Sequence, residues 1–441
     1  MELIHLGGEK TVTGSCHLLQ ANGVNILVDC GLAQGGDRVV PMAEWLVPPE
    51  KIDFLFLTHA HIDHIGRLPE IIRGGFRGEI ITTEATAFLL GPMLKDALSF
   101  SDFGRDERER ILEEIERLTW GFEYGKEFEL KGGVRFKLGR AGHILGSAWV
   151  RFSGSCETVV FSGDLGCRNT PLLPDPDIPE PCDLLVMEST YGDRRHGDRK
   201  FRIERLGAVL SQALADGGKV FIPAFSLGRS QELLYEMDRL FSDPAWQERF
   251  PELVRGKVPV FLDSPLGLKI TDIYSKLGRY WDQESRGLLA VGDHPLDFDN
   301  LYGVDSYQRH HRLLDYEGPG VIVAGSGMCS GGRIIDHLKE GIGESCNDIL
   351  FVGYQAVGTP GRDILKYHRR PGAYVYLDDK KYEIRARIHQ LTGYSAHADC
   401  DDLVAWVSAM AKKPGKIKLV HGDPEAQVGL AEKLVGCGKH V

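Results

Sequence analysis

Thr58-His59-Ala60-His61-Ile62-Asp63-His64 gathers three imidazoles and a carboxylate within six residues. Such nitrogen and oxygen donors suit a borderline cation such as zinc, whose bonds to them run about 2.0–2.2 Å. The apolar run Ile52 to Leu57 before the motif predicts a buried strand, and the helix-spaced apolar residues of Ile65 to Ile72 after it predict a helix. A strand-to-helix turn of this kind is open to solvent yet held by two rigid elements. His59 and His61, two apart in an extended turn, can face one way. Asp63 and His64 begin the helix and point elsewhere, so the spacing suggests more than one metal. A histidine-rich polar turn without a metal is the plainer alternative.

Other strand ends supply similar donors. Asp29 closes Val28-Asp29-Cys30-Gly31, His143 lies in Ala141-Gly142-His143-Ile144, Asp164 in Ser162-Gly163-Asp164-Leu165-Gly166, and His421 in Leu419-Val420-His421-Gly422-Asp423. Each adjoins glycine or another small residue, which lets the backbone turn tightly around an ion. One such histidine alone reads as a loop residue; the set together is harder to dismiss. Glu188 ends the apolar strand Leu184 to Met187, where its plain role is to cap a turn. His397, in Tyr394-Ser395-Ala396-His397-Ala398-Asp399, precedes a helix from Asp401 that Asp399 can cap.

The elements that must position these residues form two patterns. The first half is β-rich, with an Asn22-Gly23 hairpin signal, a helix over Glu84 to Leu98 and a charged surface helix over Asp102 to Trp120. Thr170 to Pro181 has five prolines in twelve residues and reads as an extended connector. From about Arg199, apolar strands alternate with amphipathic helices, which implies βαβ units on a parallel sheet. Glu383 to Leu391 reads as one further strand.

At 441 residues the chain calls for two or three domains. Its net charge of −11 gives no global attraction for polyanions, so affinity for nucleic acid would need a local basic surface. Nine cysteines without a C-x-x-C pair suit reduced thiols in a reducing compartment. Met1 to His5 shows no charged leader, and no stretch approaches the ~18 apolar residues of a membrane span. The expected location is the cytoplasm.

Asp29, His59-x-His61-x-Asp63-His64, His143 and Asp164, in that order, resemble the metallo-β-lactamase superfamily. Glu188, His397 and His421 extend the resemblance to its β-CASP branch of nucleases, over essentially the whole chain. The resemblance implies an αββα sandwich (residues 1–190 and a C-terminal return, 379–441) interrupted by an inserted parallel-sheet α/β β-CASP domain, residues 191–378. It implies that His59, His61 and His143 bind one zinc and that Asp63, His64 and His421 bind a second, with Asp164 bridging. Manganese or iron would also suit such donors. A hydroxide held between the metals would attack phosphorus, with His397 as general acid oriented by Glu188 and Asp29 steadying the His59 turn.

The implied substrate is single-stranded RNA, cut endonucleolytically or from the 5′ end. A DNA nuclease of the same branch, and a non-catalytic RNA-binding scaffold, remain alternatives, and a homodimer is left open. Gly325-Ser326-Gly327-Met328 and Phe225-Ser226-Leu227-Gly228-Arg229 resemble family segments that line the cleft, so Ser326, Gly327, Arg229 and Ser395 are candidate substrate contacts. Glycines that merely make tight turns are the competing account. The runs Arg194-Arg195-His196, Arg199-Lys200 and His368-Arg369-Arg370 give local positive charge, for which a solvated face is the default reading.

Overall fold

The computed structural model describes residues 1–154, 156–197, 199–253 and 258–436. Asn22 and Gly23 both take positive φ, 49° and 79°, as a tight hairpin turn requires. They join Cys16–Ala21 to Val24–Val28 antiparallel, with Glu2–Gly7 beyond. Phe54–Phe56, Glu79–Thr83 and Thr119–Phe122 then extend this sheet in parallel. A second sheet runs Lys416–Val420, Leu184–Glu188, Thr158–Phe161, Ala148–Ser153, Arg135–Arg140, Glu127–Glu129.

The inner faces of the two sheets share one core. Ile26, Val28 and Phe56 meet Phe136, Phe152 and Phe161, and the Phe56 ring contacts Phe136 and Phe152 edge-on at 4.9 and 4.8 Å. Leu403, Trp406 and Val407 of the helix Cys400–Ser408, with Leu430 and Leu434 of Pro424–Gly436, cover the outer face of the second sheet. The helices Glu84–Ser99 and Arg105–Leu118 cover the first. The layers are therefore helix, sheet, sheet, helix.

Two local expectations change. The helix expected over Ile65 to Ile72 is two, Ile62–Ile65 and Leu68–Arg73, with Pro69 in the first turn of the second, where its missing N–H has no partner to lose. The charged helix stops at Leu118, and Thr119–Phe122 becomes an edge strand.

The chain divides into two compact units, Met1–Arg195 with the chain from Ala396, and His196–Ser395. Sequence reading placed 379–395 in the return. Instead Lys380–Glu383 pairs with Tyr374–Leu377, and Arg387–Gln390 lies parallel to Asp348–Phe351, so these residues belong to the second unit. The strand expected over Glu383 to Leu391 is thus two strands in different sheets.

The second unit's main sheet is all parallel, ordered Leu301–Gly303, Val260–Asp263, Gly320–Ala324, Lys219–Pro223, Asp348–Phe351, Arg387–Gln390. Phe221, Ile322 and Ile349 pack on Ile334, Ile335 and Leu338 of the helix Arg333–Gly341. Alternate residues Val220, Ile222, Val321 and Val323 are buried as well, as a sheet covered on both faces requires. No disulfide joins the described cysteines, and among the described residues no helix is long and apolar enough to cross a membrane.

Candidate metal centre

In the first unit, strand ends bring the donors together. Asp29 follows Val24–Val28, the His59 turn follows Phe54–Phe56, Asp164 follows Thr158–Phe161, and His421 follows Lys416–Val420. Asp29 and His421 take φ of 59° and 49°, turning the chain sharply where each strand stops. Backbone bonds lock these turns: Ser15 N–H donates to Asp63 O at 2.9 Å, Cys30 N–H to His64 O at 2.7 Å, and His421 N–H to Gly8 O at 2.7 Å. A Cβ on Gly31 would fall 1.6 Å from the Asp63 carbonyl oxygen, so only glycine permits this approach.

The donor atoms form two groups around one carboxylate. His61 Nδ1 lies 3.1 Å from both His59 Nε2 and His143 Nε2, and Asp164 Oδ2 lies 3.5 and 3.6 Å from those two Nε2 atoms. In the second group His64 Nε2 lies 3.1 Å from His421 Nε2 and 3.3 Å from Asp164 Oδ1. His421 Nε2 is 3.6 Å from Asp164 Oδ1 and 3.5 Å from Asp63 Oδ2. Bonds of about 2.0–2.2 Å to a tetrahedral cation put its ligands about 3.3–3.6 Å apart, close to these separations. Asp164 Oδ1 is also buried without a hydrogen-bond partner. A desolvated carboxylate oxygen facing two ring nitrogens is the arrangement a cation resolves, so the residues fit the metal.

For His59, His64 and His421, a partner on the far side of the ring sets the tautomer. Thr58 Oγ1 donates to Asp29 Oδ2 at 2.9 Å and so accepts from His59 Nδ1, 3.1 Å away. His64 Nδ1 donates to Asp29 Oδ2 at 2.7 Å, and His421 Nδ1 faces Thr190 Oγ1 at 3.0 Å. Each leaves an Nε2 lone pair directed at the donor group. Sequence reading missed Thr58 and Thr190. Their only signal was a hydroxyl beside a motif histidine or beside Glu188.

Burial drives the His59 and His143 pKa values well below the ordinary range, and that of His61 down to about 4. For His64, burial is outweighed by Asp164 and Asp29, which raise it well above the ordinary value. His421 is raised, Asp164 overcoming its burial. Burial would raise the pKa values of Asp63 and Asp164, but the surrounding imidazoles hold both well below the usual carboxylate range. Both carboxylates are ionised at neutral pH.

His397 stands beside this centre. Its backbone pairs with Gly166, Ala398 N–H donates to Leu165 O at 2.7 Å, and its ring lies 4.4 Å from that of His143. Its Nε2 is 3.9 Å from Asp164 Oδ2, and its Nδ1 is 3.2 Å from Glu188 Oε1. Burial lowers its pKa, but Glu188 and then Asp164 outweigh this and raise it to about 9. Glu188 is 1% exposed and is fixed by the Leu165 N–H at 2.6 Å.

In the second unit, Asp263, His310 and His337 also cluster. Asp263 Oδ2 accepts from His310 Nδ1 and His337 Nε2, both at 2.6 Å, while Asp263 Oδ1 accepts from Arg333 at 2.7 Å. These separations are hydrogen bonds, shorter than the spacing around a cation, and the guanidinium already balances the carboxylate.

The proposed substrate contacts of that unit differ among themselves. Ser326 is half-buried and its Oγ accepts the Ser330 N–H at 2.9 Å. Gly327 is buried, and a Cβ there would lie 2.9 Å from the Phe225 ring. Arg229 is 8% exposed and its guanidinium is engaged by Glu232. Ser395 is half-buried, and its carbonyl accepts from Arg199 at 3.3 Å.

A sandwich carrying two His/Asp donor groups on one shared carboxylate defines a metallohydrolase. Residues 10–205 match the model of the metallo-β-lactamase superfamily, 230–364 that of the Beta-Casp domain, and 381–441 that of the Zn-dependent metallo-hydrolase RNA specificity domain. The chain is 37% identical to Ribonuclease TTHA0252 of Thermus thermophilus, the match covering 100% of this chain and 97% of that protein. The transcription termination factors FttA of Pyrococcus horikoshii and Cenarchaeum symbiosum are 30% and 31% identical over 97% and 98% of this chain, and 67% of either relative. A crystal structure of a protein of unknown function from Enterococcus faecalis V583 superposes with a TM-score of 0.54 over 95% of this chain and 93% of its own, at 14% identity, a likeness of fold alone. The chain belongs to the metallo-β-lactamase superfamily, in its branch of β-CASP nucleases.

Proposed function

We propose that the protein is a zinc-dependent ribonuclease of the cytoplasm, hydrolysing phosphodiester bonds of single-stranded RNA. The observation that carries this reading is Asp164, whose two oxygens each face a separate histidine group while His397 stands beside it. His59, His61, His143 and Asp164 Oδ2 would hold one zinc, and Asp63, His64, His421 and Asp164 Oδ1 the other. When bound, the metals supply a water of lowered pKa and offset charge gathering on the phosphate oxygens.

The chain's own groups do the rest. The water gives up one proton to solvent and its oxygen bonds to phosphorus as the bond to the 3′-oxygen breaks, while His397 Nε2–H gives that leaving oxygen its proton. Glu188 accepts from His397 Nδ1–H, which aims the ring and keeps it charged. Asp29, Thr58 and Thr190 hold the His59, His64 and His421 rings in the tautomer that points Nε2 inward. In the second unit, Ser326, Gly327 and Ser395 are proposed contacts to RNA. Arg229 is buried with its guanidinium engaged by Glu232, so it would meet phosphate only on leaving that partner. The match of 381–441 to an RNA specificity domain supports RNA over DNA.

End-labelled single-stranded RNA and matched DNA, incubated with and without chelator, test the proposal. His397→Ala should lose about 10²–10⁴-fold of the RNA cleavage rate, and Asp63→Ala should lose cleavage together with bound metal. RNA cleavage unchanged in both variants overturns the assignment.

A further inference from the structure

The run His368-Arg369-Arg370 leads into a hairpin of the second unit whose two faces differ. Val375 and Leu377 are 2% and 1% exposed and pack with Ile364 of the helix Pro360–Tyr367. On the other face Tyr374 and Tyr376 are 43% and 58% exposed, their rings edge to face with centroids 5.6 Å apart. Lys381, opposite Tyr376 in the hairpin, sets its ammonium 4.0 Å from the Tyr374 ring centroid. On the adjoining segment, Arg370 and Lys366 lie 4.6 and 5.0 Å from the Tyr367 ring.

Strand propensity accounts for a tyrosine pair on a two-stranded ribbon. It does not account for the charge. Arg362 to Arg385 contains seven Lys and Arg against four Asp and Glu, a balance of 7 − 4 = +3 in a chain of −11. Asp378 is engaged by Lys339 and Glu383 by Arg385, so two of those four acids are already paired. Arg362, Lys366, Arg369, Lys380 and Lys381 are exposed; Lys381 also acts on Glu383, and no acid among the described residues forms a salt bridge with the other four. The same stretch holds four of the chain's fourteen tyrosines.

Cations interleaved with exposed rings fit a partner that is both polyanionic and rich in unstacked aromatic faces. We infer that the outer face of the hairpin Tyr374–Glu383, with the adjoining Arg362–Arg370 segment, is a second binding surface for single-stranded RNA. Its residues belong to the unit that holds none of the proposed metal ligands. The inference rests on the proposed ribonuclease reading for the choice of RNA, and on the hairpin's chemistry for the rest. Phosphates lie along Lys380, Lys381 and Arg369 while bases stack on Tyr374 and Tyr376. A strand long enough to engage both surfaces gains these contacts in addition to those at the scissile phosphate.

Fluorescence anisotropy tests this with labelled poly(U) of about 30 nucleotides and of about 6, lengths that bracket an ordinary single-strand site of about 4–16. Binding is measured in a His397→Ala background and cleavage in the otherwise unaltered protein. Lys380→Glu with Lys381→Glu should weaken long-RNA binding about tenfold and reduce the slope of log K against log salt by about 1.4, two phosphates at about 0.7 each. Tyr374→Ser with Tyr376→Ser should weaken it about tenfold with the salt slope unchanged. Both pairs should leave the melting temperature, zinc content and cleavage of the short RNA as they were. Unaltered long-RNA affinity in both pairs overturns the inference, and so does an equal loss on double-stranded RNA, whose bases are already stacked. A protein that cleaves no RNA yet loses RNA binding through these substitutions would overturn the ribonuclease reading while leaving this surface in place.

Discussion

His397 Nδ1 lies 3.2 Å from Glu188 Oε1, and that same oxygen accepts the Leu165 N–H at 2.6 Å. One carboxylate thus ties the general-acid candidate to the loop that carries Asp164. Glu188→Gln keeps the shape and removes the charge. Burial lowers the His397 pKa and Glu188 is the foremost influence raising it to about 9. The substitution should therefore move the alkaline limb of the cleavage profile to lower pH, with zinc content unchanged. A profile that keeps its alkaline limb would show that Glu188 does not set this proton.

The two donor groups predict separable metals. His143→Ala should lose the metal of the His59 group and His421→Ala that of the His64 group, each leaving about one zinc per chain where the unaltered protein should bind two. Asp164→Asn, weakening both, should bind the least. Metal analysis after gel filtration reads this directly, and two zincs retained in every variant would refute the assignment.

Asp29 touches no proposed cation position; it accepts from His64 Nδ1 at 2.7 Å. Asp29→Asn should weaken metal affinity about 10–100-fold, as loss of an outer partner generally does. Competition with a chelating dye measures it, and unchanged affinity would leave Asp29 with a purely backbone role.

The buried Asp263 cluster should behave as structure. Asp263→Asn leaves Arg333 and two histidines facing a neutral amide, and breaking such a buried pair costs about 3–5 kcal/mol of stability. Denaturant unfolding should register this loss while zinc content stays constant. A fall in metal content would make the cluster a third metal position.

His5 predicts acid sensitivity outside the metal ligands. Burial lowers its pKa to about 4, so below 6.5 the unfolded chain takes up a proton that the folded chain refuses. Its contribution is fully present above pH 6.5 and is lost as pH falls towards 4. In His5→Leu, the dependence of unfolding free energy on pH between 6.5 and 4 should be shallower by about one proton. An identical slope would show that His5 titrates normally.

The residues that converge in the first unit were legible in the sequence because most stand just past an apolar strand whose end must turn. The pairing between them was not legible. Thr190 meets His421 across 231 residues, and no local pattern encodes that meeting. Arg229 reads as a free cation beside a glycine, yet Glu232, one helical turn later, covers it. The unit boundary at Ser395 escaped for a similar reason. Arg387–Gln390 is too short to declare its sheet, and only its partner Asp348–Phe351 decides where it belongs.

His64 and His421, whose Nε2 atoms lie 3.1 Å apart, are separated by 357 residues of chain. At a ribosomal rate of about 5–20 residues per second, roughly 20–70 s pass between synthesis of the first and of the second. Throughout that interval the nascent polypeptide lacks a complete second donor set, although most of the sandwich has already emerged. On the proposed assignment the enzyme would be born unarmed beside the messenger being translated, and would acquire its hydrolytic capacity only when its closing strand docks.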